Sequence, residues 1–348
     1  MVLQDSVQHW LQHSATGQRL RRAYHRAVGE TELRHDGQTR LNLALQGGGV
    51  LGAFTWGVLD RLSREPALRI DAISGASAGA VNAALFASGY VTEGAEGARR
   101  RLDAFWSEIA DASALAKFVF FPALSPAQAR WWRRAFHPSS AFDFNPLRSA
   151  LETHVDFDAL RAPEAPALFI SATHVPTAKA RLFTNQELTL DVLLASACLP
   201  NLHPTVLIDG EPYWDGGFTA NPALSPLTDR PADRTLLVRL MASGAEKLPQ
   251  GNEEIDAYMK NLMFDRPLEE ELARLAETKK LTALDVVFAG DYEPDAQITT
   301  PPSPALIRSL FEKGKTAGED YFARLKDDPA ETPDPQLARR TQLSPDSS

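Results

Sequence analysis

Between residues 41 and 89 the chain spells out strand, helix, strand, helix. Leu41 to Leu45 (LNLAL) and Ile70 to Ser74 (IDAIS) are short apolar runs with the length of buried strands. Between them, Phe54, Gly57, Val58, Leu59 and Leu62 share one face of a helix over Ala53 to Arg64. Strand, helix and strand within about 35 residues form the βαβ unit of a parallel sheet, and this fixes the class as α/β. The predicted architecture is a three-layer α/β/α fold with a mainly parallel central sheet.

Each of these strands ends in a run of small residues. The second reads Gly75-Ala76-Ser77-Ala78-Gly79 and passes into an Ala-rich helix running to about Gly89. A strand-to-helix turn tight enough to push a side chain out at its apex crowds its own backbone, so positions two before and two after must be small. Gly75 and Gly79 meet that requirement, and Ser77 takes the apex, where the N-terminus of the following helix favours an alkoxide or oxyanion. Ser77 is therefore the candidate nucleophile.

The first strand runs into Gln46-Gly47-Gly48-Gly49-Val50-Leu51-Gly52. Successive backbone N–H groups without side chains can point at one negatively charged oxygen, as an oxyanion hole or a phosphate cradle requires. Gly47, Gly49 and Gly52 also fit a dinucleotide-binding fingerprint with Asp71 as ribose ligand, so a nucleotide-binding protein is the alternative outside hydrolases. Asp71, however, precedes Ala72-Ile73-Ser74 and lies on the approach to Ser77, not at the far end of the strand where a ribose would be met. Three glycines beside a serine elbow suit acyl transfer better.

A serine needs a base. Of the eight histidines, His9, His13, His25 and His35 lie in the first 40 residues, and only His174 and His203 fall near strand ends, neither in a motif. A Ser-His-Asp esterase is the alternative that would use one of them. Trp214-Asp215-Gly216-Gly217 places a carboxylate at the end of a strand, and its two glycines let the chain turn away beneath another backbone. Asp215 is the candidate base.

The three elements Gly-Gly-Gly-x-x-Gly, Gly-x-Ser-x-Gly and Asp-Gly-Gly, in this order, resemble the patatin-like phospholipases. Ala195-Ser196-Ala197-Cys198-Leu199-Pro200 resembles that family's Ala-Ser-x-x-x-Pro helix end. The resemblance covers about residues 41 to 225. It implies a lipid acyl hydrolase with a Ser77–Asp215 dyad, no histidine and no cofactor or metal. Backbone amides around Gly47, Gly48 and Gly49 would form the oxyanion hole, with Gly52, Gly75, Gly79, Gly216 and Gly217 supporting the turns. Leu51 stands where many members carry Arg or Lys, which takes a positive charge away from the loop. An ordinary Asp is a poor base for a serine hydroxyl, so the site must desolvate Asp215 or draw the proton through oxyanion stabilisation.

Around this region the chain divides into a helical arm (1–40), the catalytic domain (41–240), a helical C-terminal extension packed on the core (241–326) and a polar tail expected to be disordered (327–348). Further strands are predicted at Ala167 to Thr173, Ala180 to Thr184, Thr235 to Leu240 and Leu284 to Phe288, with a hairpin of Val206 to Ile208 and Glu211 to Trp214 turning at Asp209-Gly210. Helices are predicted over 95–110, 191–198, 252–263, 267–280 and 304–326. Aromatic residues of segment 117–144, including Trp131 and Trp132, are read as cover for the sheet or lining for an acyl pocket rather than as a lipid-docking patch.

With 36 Lys and Arg against 45 Asp and Glu, a net charge of -9, and no long basic run, the chain lacks the surface nucleic acid requires. One cysteine, Cys198, permits neither an internal disulfide nor a cysteine metal cluster. The first residues lack a signal peptide's pattern and no run of about 18 apolar residues occurs, so a soluble cytoplasmic protein is expected, with room for transient contact at a membrane surface. The expected partner is a lipid or acyl-ester substrate; no protein partner is indicated.

Overall fold

In the computed structural model, residues 39–111, 146–200, 203–230, 232–241, 248–278, 284–290 and 303–327 are described. Residues 1–38 of the expected arm, the aromatic stretch 117–144 and the tail from residue 328 lie outside them.

The strands are β1 (Thr39–Leu45), β2 (Leu68–Gly75), β3 (Ala167–His174), β4 (Lys179–Thr184), β5 (Val206–Ile208), β6 (Glu211–Asp215), β7 (Arg234–Arg239) and β8 (Leu284–Phe288). They form one mixed sheet whose centre, β3-β2-β1-β7-β8, is parallel throughout, while β4, β5 and β6 add antiparallel pairs at one side. The β5–β6 hairpin turns at Asp209 and Gly210 with φ of 54° and 81°. Positive φ at both positions matches the right-handed twist of a two-residue hairpin, which is why Asp-Gly announced it.

The helices are α1 (Gly52–Leu62), α2 (Ala78–Asp111), α3 (Pro146–His154), α4 (Leu190–Ser196), α5 (Ser225–Thr228), α6 (Asn252–Thr278) and α7 (Pro304–Asp327). Alternate strand residues face two different cores. Leu43, Leu45, Ile73, Leu236 and Val238 join α1, α2, α3, α4 and α7 on one face, and Ala44, Ala72 and Leu237 join Leu224 and Leu227 near α5 and Leu268, Leu272 and Leu275 of α6 on the other. Helices on both faces of a sheet make the three-layer α/β/α arrangement. Helix α7 belongs to the same core as the sheet: Ile307, Leu310, Tyr321 and Phe322 are buried in it, and Trp56 of α1 meets Phe311 of α7 with ring centroids 4.0 Å apart.

The helices expected to about Gly89 and from Ala95 both form, and within α2 they are separated by non-helical backbone at Glu93 and Gly94, the latter at φ 64°. One helix boundary differs from the sequence reading. The helices expected over 252–263 and 267–280 are a single helix, α6, which runs through Pro267. Proline costs the interior of a helix a hydrogen bond, but burial of Leu268, Leu272 and Leu275 just beyond it keeps the helix running.

What positions the site is the edge of β3. Its residues Phe169 to His174 pair with β4 on one side. On the other side, β2 pairs with Ala167 to Ile170 and then leaves the sheet, and β6 takes over the same edge at Ala172 to His174. The last residue of β2, Gly75, lies opposite Ile170, and the last residue of β6, Asp215, lies opposite Ala172. Two strands arriving from opposite directions thus end within about 7 Å of each other along one edge.

Candidate active site

Ser77 leaves β2 at φ 51°, a left-handed conformation that a non-glycine residue adopts only when its surroundings enforce it. The enforcement is local. A Cβ on Gly75 would stand 2.7 Å from the Gly79 carbonyl oxygen, and one on Gly79 would run into the carbonyl of Leu45. The amide of Ser77 donates to Ser196 Oγ at 3.0 Å. Helix α2 begins at Ala78, so its first turn opens beside the Ser77 side chain.

Asp215 is 1% exposed. Its Oδ1 accepts the Gly217 amide at 2.8 Å, and the Ser77 side chain beside it, like that amide, favours the ionised carboxylate. Burial outweighs both and lifts the carboxyl from its ordinary 3.8 to about 7. Its own amide donates to the Cys198 carbonyl at 2.8 Å, and its carbonyl accepts from Thr173 Oγ1 at 2.7 Å. The segment from Ser196 to Cys198 therefore grips both ends of the pair, Ser77 through Ser196 Oγ and Asp215 through the Cys198 carbonyl. Gly216 is needed because a Cβ there would strike the Ser171 backbone of β3. Cys198 itself is buried, and its thiol is pushed up to about 12 by desolvation and by Asp215, which leaves it inert.

The glycine loop lies over Ser77, where a Cβ on Gly47 would stand 2.8 Å from Ser77 Cβ. The three loop amides are not equivalent. The Gly47 N–H donates to Asn221 Oδ1 at 2.7 Å, so it is committed within the protein, which corrects the expectation that it faces a substrate oxygen. No acceptor among the described residues takes the Gly48 or Gly49 amide, and Gly49 sits at φ 59°. Gly52 starts α1 close against α2, where a Cβ would lie 2.8 Å from that of Ala78.

Beneath the loop, Gln46 Oε1 accepts the Leu240 and Met241 amides at 2.6 and 2.9 Å, and its Nε2 donates to Asp265 Oδ1 at 3.0 Å. Arg239 and Asp265, both buried, meet at 2.5 Å and complete the tie between β1, β7 and α6.

These elements enclose a narrow cavity of about 60 Å³ lined by Gly47 to Leu51, Ser77, Asp215, Asn221, Met241, Lys260 and Phe264, with Ala197 and Leu199. Neither His174 nor His203 lines it. The His174 ring is held by Thr177 Oγ1 at 2.8 Å and Glu211 Oε2 at 3.0 Å. Burial holds His203 down at about 4, and its Nε2 has no partner among the described residues. Asp71, the ribose-ligand candidate of the alternative reading, pairs with Arg40 and Arg69 at the opposite end of the parallel strands. No cluster of three or more His, Cys, Asp or Glu suited to a metal occurs among the described residues, and none of their helices is long and apolar enough to cross a membrane.

Asn221, Ser196 and Lys260 escaped sequence reasoning as site residues. Ser196 stood inside a matched segment without an assigned task; Asn221 and Lys260 carry no local signal at all.

A search of curated proteins returned no significant match. Among solved structures, VipD from Legionella pneumophila is similar, at 13% identity over 85% of this chain and 72% of that one, with a TM-score of 0.43. The ExoU–SpcU complex of the type III secretion system of Pseudomonas aeruginosa follows at 17% identity over 84% and 53%, TM-score 0.34, and the type III effector ExoU alone at 16% over 80% and 53%, TM-score 0.32. The chain spans about half the length of the ExoU chains it resembles. The family model described as patatin-like phospholipase matches residues 43–228, more than half of the chain, from within β1 through α5. The protein therefore belongs to the patatin-like phospholipase family.

Proposed function

We propose that the chain hydrolyses carboxylic esters of lipids, phospholipids included, through an acyl-enzyme on Ser77, with Asp215 as general base and the Gly48 and Gly49 amides receiving the oxyanion. The observation that carries this reading is the hydroxyl of a strained serine set against a buried carboxylate whose proton affinity is raised to about 7. A carboxylate of ordinary acidity would hold a serine proton poorly, whereas one near neutrality is matched to the task at physiological pH.

The steps balance with these groups alone. As Ser77 Oγ bonds to the acyl carbon, its proton passes to Asp215, and the negative charge on the former carbonyl oxygen falls to the loop amides and the first turn of α2. Collapse breaks the bond to the alcohol, which takes the proton from Asp215. A water then gives a proton to Asp215 while its oxygen attacks the acyl carbon, and Ser77 recovers the proton as the fatty acid leaves. Such donors supply about 3 kcal/mol each when preorganised, so the loop carries much of the rate. The cavity is small enough to hold the ester and its immediate neighbours while the acyl chain extends through the mouth.

The test is fatty-acid release from p-nitrophenyl acyl esters and from a phospholipid panel by wild type, Ser77→Ala and Asp215→Asn, all checked for folding. The wild type turns over, and both variants fall by about a thousandfold or more. His174→Ala and His203→Ala retain activity; a loss in either comparable to that of Ser77→Ala, with the fold intact, replaces the dyad by a Ser-His-Asp triad.

A further inference from the structure

Helix α6 contributes two side chains to the cavity, Lys260 and Phe264, one turn apart on one face. Phe264 is an ordinary wall. Lys260 is not, because it brings an ammonium group into a space whose other walls are largely apolar or backbone. It is part-buried, and among the described residues no hydrogen bond or ion pair holds it. Its affinity for a proton is lowered to about 8 by burial alone, with no compensating anion, so at neutral pH it remains mostly charged. A desolvated cation without a counter-charge is costly, and the fold tolerates one where a ligand completes the pair.

Two anions could do so: the oxyanion of the reaction, or a charge the substrate already carries. The placement of Lys260 on α6 chooses between them. Phe264 packs against Gly217, two residues beyond Asp215, and Lys260 follows one helical turn, about 6 Å, farther along α6 on the same cavity wall, as suits a charge a few bonds from the scissile ester. In a glycerophospholipid that charge is the phosphate. Leu51, which also lines the cavity, supplies no positive charge from the loop. Lys260 brings one in from a different element.

Resting on the hydrolase reading above, we propose that Lys260 is a specificity-determining residue that receives the phosphate of a glycerophospholipid, so that phosphate-bearing lipids are preferred over neutral glycerides with the same acyl chains. The pairing acts before the chemistry, so it appears mainly in KM.

The experiment compares wild type, Lys260→Met and Lys260→Arg on dihexanoyl-phosphatidylglycerol and dihexanoylglycerol, both presented as monomers. Lys260→Met lowers the ratio of kcat/KM for phospholipid over glyceride by about tenfold or more, chiefly through KM, and Lys260→Arg recovers most of it. An unchanged ratio, or an equal fall on both lipids, overturns the assignment. A second arm needs no turnover: calorimetric titration of Ser77→Ala with dihexanoyl-phosphatidylglycerol, against Ser77→Ala combined with Lys260→Met, shows binding weakened by about tenfold in the double variant. Equal affinity overturns the proposal. If the wild type hydrolyses neither ester, the hydrolase reading fails while this binding arm still decides the role of Lys260.

Discussion

Asp215 holds its proton more tightly in the folded protein than in the unfolded chain, and this makes the proposed base a measurable burden on stability. The carboxyl rises from 3.8 to about 7 because it is buried, with the Gly217 amide and Ser77 hydroxyl only partly offsetting the loss of water. For an acid whose folded value is raised, the stabilising contribution is full below its unfolded value and is lost as pH rises through the folded value. At about 1.4 kcal/mol per pH unit, ionised Asp215 costs the fold about 4 kcal/mol above pH 7, against about 1 kcal/mol at pH 4.5. Asp215→Asn keeps the shape and removes the ionisation. Urea unfolding of both proteins at pH 4.5 and 8 isolates this group, because the other carboxylates titrate alike in the two and cancel. The stability difference moves in favour of the variant by about 3 kcal/mol from the lower pH to the higher, while activity is lost. The same group shapes the rate: kcat/KM rises about tenfold per pH unit below 7 and levels off above, leaving roughly a hundredth of the plateau at pH 5. A stability difference that does not change with pH, together with a flat rate profile from pH 5 to 8, refutes both the raised carboxyl and its use as the base.

Gly79→Ala drives a Cβ into the Leu45 carbonyl, a backbone atom that cannot yield cheaply, and destabilises by about 2–4 kcal/mol in urea unfolding; a near-neutral result would mean the elbow is slack. Asn221→Ala leaves the Gly47 amide without its acceptor, costing about 1–3 kcal/mol and letting the loop drift, so kcat/KM on a soluble ester falls about ten- to a hundredfold. Arg239→Met removes the guanidinium that neutralises buried Asp265 and lowers stability by about 3–5 kcal/mol, read from thermal unfolding; a smaller loss at acidic pH identifies the uncompensated carboxylate as the cause.

What the sequence disclosed was what short local motifs mark. The elbow at Ser77, the turn at Asp209-Gly210 and the glycine after Asp215 each need a residue type within a few positions of the feature they serve, so a reader of one strand and its turn can find them. The gap expected between residues 263 and 267 is absent because burial of Leu268 and Leu272 against the sheet, which keeps α6 running, depends on strands far away in the chain. Asn221, Ser196 and Lys260 act across the fold. Asn221 reaches Gly47, 174 positions away, and Ser196 reaches the Ser77 amide, 119 positions away. Lys260 reads in sequence as one more cation on a polar helix, because nothing nearby says that its face of α6 closes over a cavity. The glycine loop was legible as a set of donors, but which amide was already engaged depended on Asn221.

The pairing of Ser77 with Asp215 has a topological cause that no motif contains. Had β2 continued along β3 past Ile170, it would have occupied the edge that β6 uses, and Asp215 would have had no strand to end on. The break forced by Gly75 and Gly79 therefore does two things: it lifts Ser77 out of the sheet, and it vacates the stretch of edge from Ala172 to His174 that lets β6 enter from the opposite direction. Side chains along a strand alternate between faces, so the register that sets Asp215 opposite Ala172 also decides which face its carboxylate meets. A slip of one residue would turn the carboxylate from Ser77 and bring Trp214 in its place. The ties that hold Asp215, from the Cys198 carbonyl to its amide and from Thr173 Oγ1 to its carbonyl, are backbone anchors of that register. The same fold feature thus lifts Ser77 out and admits Asp215 beside it, so the two motifs are consequences of one broken strand edge.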